Sequence, residues 1–171
     1  MSKKVQRIVF IGLAAAIICV LSPFTLNIPI SPVPISLSIF AIYIGVYACG
    51  MSDGTIAVLV YLLIGLVGVP VFSNFSGGVG KLFGPTGGYL IGYIFAALIA
   101  GFFIDRFPGK FYMHAIGMVL GTAVCYVFGT FWLAHQASMD LSKAFMAGVI
   151  PFIPADLVKM AVAIPDRKSV V

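Results

Sequence analysis

The sequence contains no glutamate, and charged residues of either sign make up only 9% of its 171 positions, where a soluble domain carries about 25%. That scarcity excludes a solvated globule. Hydrophobic residues fill 61% of the chain and the mean hydropathy is +1.15. The chain is therefore expected to be an all-α integral membrane protein, one compact bundle over residues 1–171 with no room for a second domain. Cysteine is also scarce. Cys19, Cys49 and Cys125 each lie inside an apolar run, without CxxC or Cys/His spacing, so buried free thiols are expected and neither a disulfide nor a metal is indicated.

Several kinds of chemistry lack their residues. Gly80-Lys81 is followed by Leu82, and position 75 is Phe where a phosphate-binding loop needs Gly, so no ATPase motif is present. His114 and His135 have no acidic neighbours or ligand spacing; His114 is expected near the inner interface and His135 near the outer one. An intramembrane protease would need a Ser–His or Asp–Asp arrangement, and only Asp156 lies well inside an apolar segment. No enzyme and no cofactor is expected. The net charge of +5 does not point to nucleic acid, because the basic residues cluster at the ends of apolar segments.

What is present is a series of about six apolar spans, each near the ~20 residues that a bilayer requires. They run over about Val5–Leu21, Ile35–Met51, Gly54–Val69, Gly87–Phe103, Phe111–Leu133 and Leu141–Ile164. The second and third join through a tight turn at Gly50–Gly54, and the sixth is interrupted by Pro151 and Pro154. Met1–Leu21 has the basic start and apolar core of a signal peptide, but no small-residue cleavage site follows, which favours a retained span. Lys3, Lys4, Arg7, Arg106, Lys110, Arg167 and Lys168 fall on one side of such a bundle, and only Lys81 and Lys143 on the other. Both termini are expected in the cytoplasm.

Two connections on the far side are unusual. Ser22–Pro34 carries Pro23, Pro29, Pro32 and Pro34 and should be a stiff extended loop. Val69–Gly88, between the third and fourth spans, is long, rich in glycine and aromatics, and charged only at Lys81. Such a loop packs against something: either it fills the mouth of the bundle, or it caps a ligand. Gly77 and Gly78 would let backbone approach a ligand, and Phe72, Phe75 and Tyr89 would supply apolar walls. At Pro85-Thr86-Gly87-Gly88 the fourth span begins, and free N–H groups there, or Lys81, could hold a carboxylate; Thr86 is equally a plain N-cap.

The most costly feature is an ionisable pair, Asp156 and Lys159, in the last span. Each would cost roughly 2.5–3.5 kcal/mol near a bilayer centre. Asp156 is ten residues from Asp166, which places it ~15 Å from the inner helix end. At i,i+3 both side chains share one helix face. They either lock the helix as a structural ion pair or form a polar floor for a neutral ligand that offers N–H donors beside a carbonyl, such as an amide, a cyclic urea or a pyrimidine.

Pro32-Val33-Pro34-Ile35, the run from Gly77 to Leu90 and Pro151-Phe152-Ile153-Pro154-Ala155-Asp156-Leu157-Val158-Lys159 together resemble the biotin-specific substrate-binding component of energy-coupling-factor (ECF) vitamin transporters. The resemblance spans nearly the whole chain. It implies a six-helix fold that captures biotin outside the cell under a cap formed by the first loop, with no resident cofactor. The implied partners are a transmembrane coupling protein (the T component) and two cytoplasmic ATPases. It further implies that Asp156 accepts from a ureido N–H, that Lys159 donates to the ureido carbonyl, and that Asn74 is a third polar contact. Ser36 and Ser38 stand where the family often has Thr and Gln. Gly12 and Ala16 match the small residues with which the family's first helix meets the coupling protein, although packing inside the bundle explains them equally well. Two other readings remain open: a self-sufficient permease with Asp156 as proton relay, and a non-transporting membrane scaffold.

Overall fold

The computed structural model describes residues 2–27, 29 and 33–163. Helix α1 (Lys3–Leu21) buries Ala14, Ala15 and Ile18 and ends at Ser22, whose N–H still reaches the Ile18 carbonyl at 2.9 Å. Pro23 follows, has no N–H, and cannot extend the ladder. The proline-rich connection is more ordered at its base than its composition suggests. Strands β1 (Thr25–Leu26) and β2 (Ile35–Ser36) pair antiparallel, Thr25 with Ser36 and Leu26 with Ile35. The expected stiffness of its tip concerns Pro32 among others, which lies outside the described residues together with Ile28, Ile30, Ser31 and the stretch after Ala163.

Helix α2 (Ser38–Leu66) is a hairpin, not one rod. Gly50 breaks it with φ 82° and ψ 179°, a conformation that glycine adopts without a Cβ penalty. The residues on either side meet: a Cβ on Gly54 would stand 2.6 Å from the Cα of Val46. Eight residues along a straight helix would put these positions about 12 Å apart. The legs 38–49 and 51–66 therefore run antiparallel, and Ser38 and Tyr61 line one cavity. The reversal uses Gly50 alone rather than the expected Gly50–Gly54 turn. The first of the two legs begins at Ser38 rather than Ile35, because Ile35 and Ser36 belong to β2.

The glycine-rich connection contains one short helical turn, α3 (Val79–Leu82). Helices α4 (Gly87–Arg106) and α5 (Phe111–Gln136) lie against each other along their length. Gly92 sits on Cys125, and Gly117 on Phe103, closely enough that an added Cβ would overlap. The last limb is bent by 43° between α6 (Leu141–Gly148) and α7 (Ile153–Ala163). Pro151 lies in the break, whereas Pro154 falls in the first turn of α7, where its missing N–H costs nothing. Among the described residues α1, α4 and α5 are each long and apolar enough to cross a membrane as single helices, the 29 residues of α2 pass the same test only with both hairpin legs taken together, and the bent α6–α7 pair passes if it counts as one span.

Packing is that of a protein in lipid. Tyr43, Tyr61, Phe72, Ile42 and Met118 are fully buried, while Val9, Leu13, Val20, Leu63 and Phe131 stand on the outer surface. Large apolar side chains on the outside of an otherwise apolar bundle are what a hydrocarbon solvent favours. Cys19, Cys49 and Cys125 are free thiols.

Candidate functional site

The polar groups that the helices take into the apolar interior converge below the β1–β2 ribbon. The first turns of α7 carry Asp156 and Lys159, which form an ion pair at 2.8 Å with side chains only 7% and 11% exposed. The other carboxylate oxygen accepts the Tyr126 hydroxyl from α5 at 2.5 Å. The Lys159 ammonium also donates to the Ser36 carbonyl of β2 at 2.7 Å, which ties the floor of the site to its cap. A carboxylate has about four acceptor positions and an ammonium three protons. After these bonds the pair retains two acceptor positions and one proton. A cyclic urea presents two N–H donors and one carbonyl.

The pair opens on a cavity of about 50 Å³. Its remaining polar lining includes Ser36, Ser38, Ser73, Thr86, Thr122 and the tyrosines 61, 89 and 93, and Val33, Pro34, Ile39, Leu90 and Phe152 supply apolar wall. The Ser36 and Ser38 hydroxyls bond to each other, and Ser36 Oγ donates onward to the Ser22 carbonyl at 3.2 Å. Tyr89 packs its ring on Gly129 and donates its hydroxyl to the Gly148 carbonyl at 2.8 Å, so its ring edge is fixed in the wall. Thr86 Oγ1 is buried and has no hydrogen-bond partner among the described residues.

The other residues singled out in the sequence stand outside this cavity. Asn74 and Phe75 adopt left-handed backbone, φ 61° and 50°. Asn74 accepts the Thr25 hydroxyl, donates to Asn27 at 3.1 Å, and gives its backbone N–H to the Pro23 carbonyl at 3.2 Å. The Phe75 ring meets Phe24 edge to face at 5.6 Å. Both therefore fasten the glycine-rich loop to the cap. Phe72 is buried against Tyr61. Gly77 lies on the Val69 carbonyl, and Gly78, at φ 88°, donates its N–H to the Gly65 carbonyl at 2.7 Å. Gly87 faces the Leu82 carbonyl, and its N–H is taken by Gly84 at 3.0 Å, so the start of α4 is not an open row of amides. Lys81 is half-buried in α3, and desolvation pulls its pKa below the ordinary lysine value. Gly12 has nothing within 4 Å of a notional Cβ and Ala16 is exposed, so neither is small for the sake of packing inside the bundle.

Sequence reasoning missed Tyr126, Tyr93, Tyr61 and Thr122. A signal existed: Tyr89 with Tyr93, and Thr122 with Tyr126, are spaced four apart in apolar spans, so each pair shares a helix face. Tyr126→Phe should weaken capture of a ligand held by Asp156 about tenfold or more and should also lower the unliganded melting temperature, since one hydrogen bond to a charged group contributes about 1.5–3 kcal/mol. Equal affinity in a titration of both proteins would remove Tyr126 from the site.

The profile of the BioY family matches residues 1–165. The biotin transporter BioY of Thermotoga maritima is 39% identical over 138 residues, 81% of this chain and 80% of its own length. The probable biotin transporter BioY of Pyrococcus horikoshii is 37% identical over 139 residues, 81% of each chain. A crystal structure of the S-component for biotin from an ECF-type ABC transporter superposes with a TM-score of 0.88 at 28% identity, over 96% of this chain and 90% of that one. With a membrane bundle of the same fold and a family match over nearly its whole length, this chain belongs to the BioY family.

Proposed function

We propose that the chain is the biotin-capturing S component of an ECF transporter. The observation that carries this reading is the Asp156–Lys159 pair, buried at the floor of a capped cavity and left with two acceptor positions and one proton. Asp156 accepts from the ureido N–H groups of biotin and Lys159 donates to the ureido carbonyl. The tyrosine and proline walls receive the thioether ring. The valerate tail points toward Thr86, whose hydroxyl is without a partner. A relative named biotin transporter BioY and the fold of a biotin S-component support the choice of ligand.

Capture requires the cap to lift. At about 50 Å³ the cavity falls well short of the roughly 300–1,000 Å³ usual for a small-ligand pocket. The bonds that would have to open are Lys159 to the Ser36 carbonyl and those of Asn74 to Thr25, Asn27 and the Pro23 carbonyl. When the cap closes again Lys159 regains the Ser36 carbonyl, and its remaining proton meets the ligand carbonyl. The chain itself is non-catalytic in this reading, and the work of uptake comes from a transmembrane coupling protein and two cytoplasmic ATPases. The exposed Gly12–Ala16 face of α1 suits close approach of a partner helix. The basic residues beside α1 and between α4 and α5 favour the cytoplasmic membrane, with both termini inside.

Thermal unfolding of the detergent-purified protein tests the ligand. Biotin at a hundred times its dissociation constant should add about 2.7 kcal/mol and raise the melting temperature, while thiamine and riboflavin should not. A folded sample that ignores biotin would end this reading.

A further inference from the structure

The end of the bundle opposite the cap holds a second polar cavity that the biotin reading does not use. Its volume is about 340 Å³, within the usual range for a small-ligand pocket, and it is lined by Tyr47, Gly50, Ile104, Asp105, Pro108 and His114. His114 is 2% exposed. Its Nε2 lies 2.9 Å from the Phe107 carbonyl oxygen, which only accepts, so Nε2 donates there. The ring's Nδ1 is buried without a partner among the described residues, and so is the Tyr47 hydroxyl. The two rings meet edge to face at 5.5 Å.

The third group is Asp105. Its Oδ2 accepts the Met51 N–H at 2.9 Å and so anchors the reversal at Gly50. Its Oδ1 lies against Gly50, where a Cβ would come within 3.1 Å. Asp53, Asp140 and Asp156 are paired with Arg7, Lys143 and Lys159, whereas Asp105 has no cation within ion-pair distance among the described residues. Arg106 and Lys110 lean on the Phe107 ring instead, each 6.0 Å from its centroid. One cavity thus gathers a carboxylate without a cation, a buried imidazole nitrogen and a buried phenol, the last two without partners among the described residues. The two buried atoms left without partners cost about 1–3 kcal/mol each, and a positively charged group rich in N–H donors would pair with the exposed Asp105 carboxylate while reaching them.

We infer that this cavity binds a guanidinium or ammonium group. Two sources carry that chemistry at this face: a small organic cation in solution, or a basic side chain of the coupling partner. The test titrates N-acetyl-arginine methyl ester, with neutral N-acetyl-citrulline methyl ester as control, into the detergent-purified protein and reads saturable heat and melting temperature. Asp105→Asn keeps an acceptor for Met51, Tyr47→Phe removes only the orphaned hydroxyl, and undiminished biotin binding shows that each variant is folded. In the second arm, which rests on the assembly proposed above, the same variants are co-purified with the coupling module. A saturable response to the arginine ester that weakens about tenfold or more in Asp105→Asn identifies a free cation. Loss of assembly in Asp105→Asn identifies a partner side chain. If Asp105→Asn changes neither the ester response nor the assembly, or if the citrulline ester binds as well, the cavity holds only water and the inference is overturned.

Discussion

Asp156→Asn should weaken biotin binding by about 2–5 kcal/mol, which is roughly 30- to 4,000-fold in the dissociation constant. The substitution keeps the size of the side chain. Its carbonyl oxygen can still accept from Tyr126 or from Lys159, and Lys159 retains the Ser36 carbonyl. What is lost is the second anionic acceptor, and an amide N–H then faces the ligand's own N–H. The substitution also leaves the Lys159 ammonium, 11% exposed, without its anion, so the unliganded melting temperature should fall as well. Lys159→Ala breaks the same pair from the other side. It leaves a carboxylate that is 7% exposed without its cation, and breaking a buried pair from one side costs about 3–5 kcal/mol of stability. Its melting temperature should therefore fall along with its affinity. Titration of biotin into each variant, paired with unfolding in the absence of ligand, separates the two effects. Wild-type affinity in Asp156→Asn would contradict the site.

Gly87→Ala should be the most damaging single methyl group in the protein. A Cβ there would lie 1.6 Å from the Leu82 carbonyl oxygen and 3.1 Å from Trp132 Nε1. The obstacle is backbone, so no side-chain rotation relieves it. The loop is also held by α5, because Trp132 donates to the Gly84 carbonyl at 2.9 Å and Gln136 donates to that of Phe83. Overpacking against a fixed neighbour costs about 1–3 kcal/mol and sometimes more. Here it also displaces Thr86 from the cavity wall. Both the melting temperature and biotin binding should fall. Gly80→Ala is the matched control: a Cβ there meets nothing within 4 Å, so it should behave as wild type. If Gly87→Ala melts and binds normally, the loop does not pack as described.

Some of this was legible in the sequence because it depends on local pattern. Apolar runs separated by Gly, Pro and basic residues marked the membrane bundle, and two ionisable side chains three apart in the last run marked the floor of the site. The remainder depends on what meets what across the chain. The β1–β2 ribbon pairs Thr25 with Ser36, and strands this short leave no periodic signal. Asp156 and Tyr126 touch across 30 positions, which requires the rotation of α5 about its axis to be known. The glycines of the long loop announced a close approach but not its object. The structure places Gly77, Gly78 and Gly87 against the protein's own carbonyls, at Val69, Gly65 and Leu82. For Gly12 and Ala16 the sequence left two readings, and only packing distances set aside the one inside the bundle.

The central claim is that a carboxylate and an ammonium together read the ureido ring. Competition against bound biotin by two of its derivatives tests it most directly. Dethiobiotin keeps the cyclic urea and loses the sulfur bridge; diaminobiotin keeps the thioether ring and the tail but has no ureido carbonyl. The account predicts that dethiobiotin displaces biotin and that diaminobiotin does not at any accessible concentration. Displacement by diaminobiotin as readily as by biotin itself would contradict it, and would return Asp156 and Lys159 to a purely structural pair.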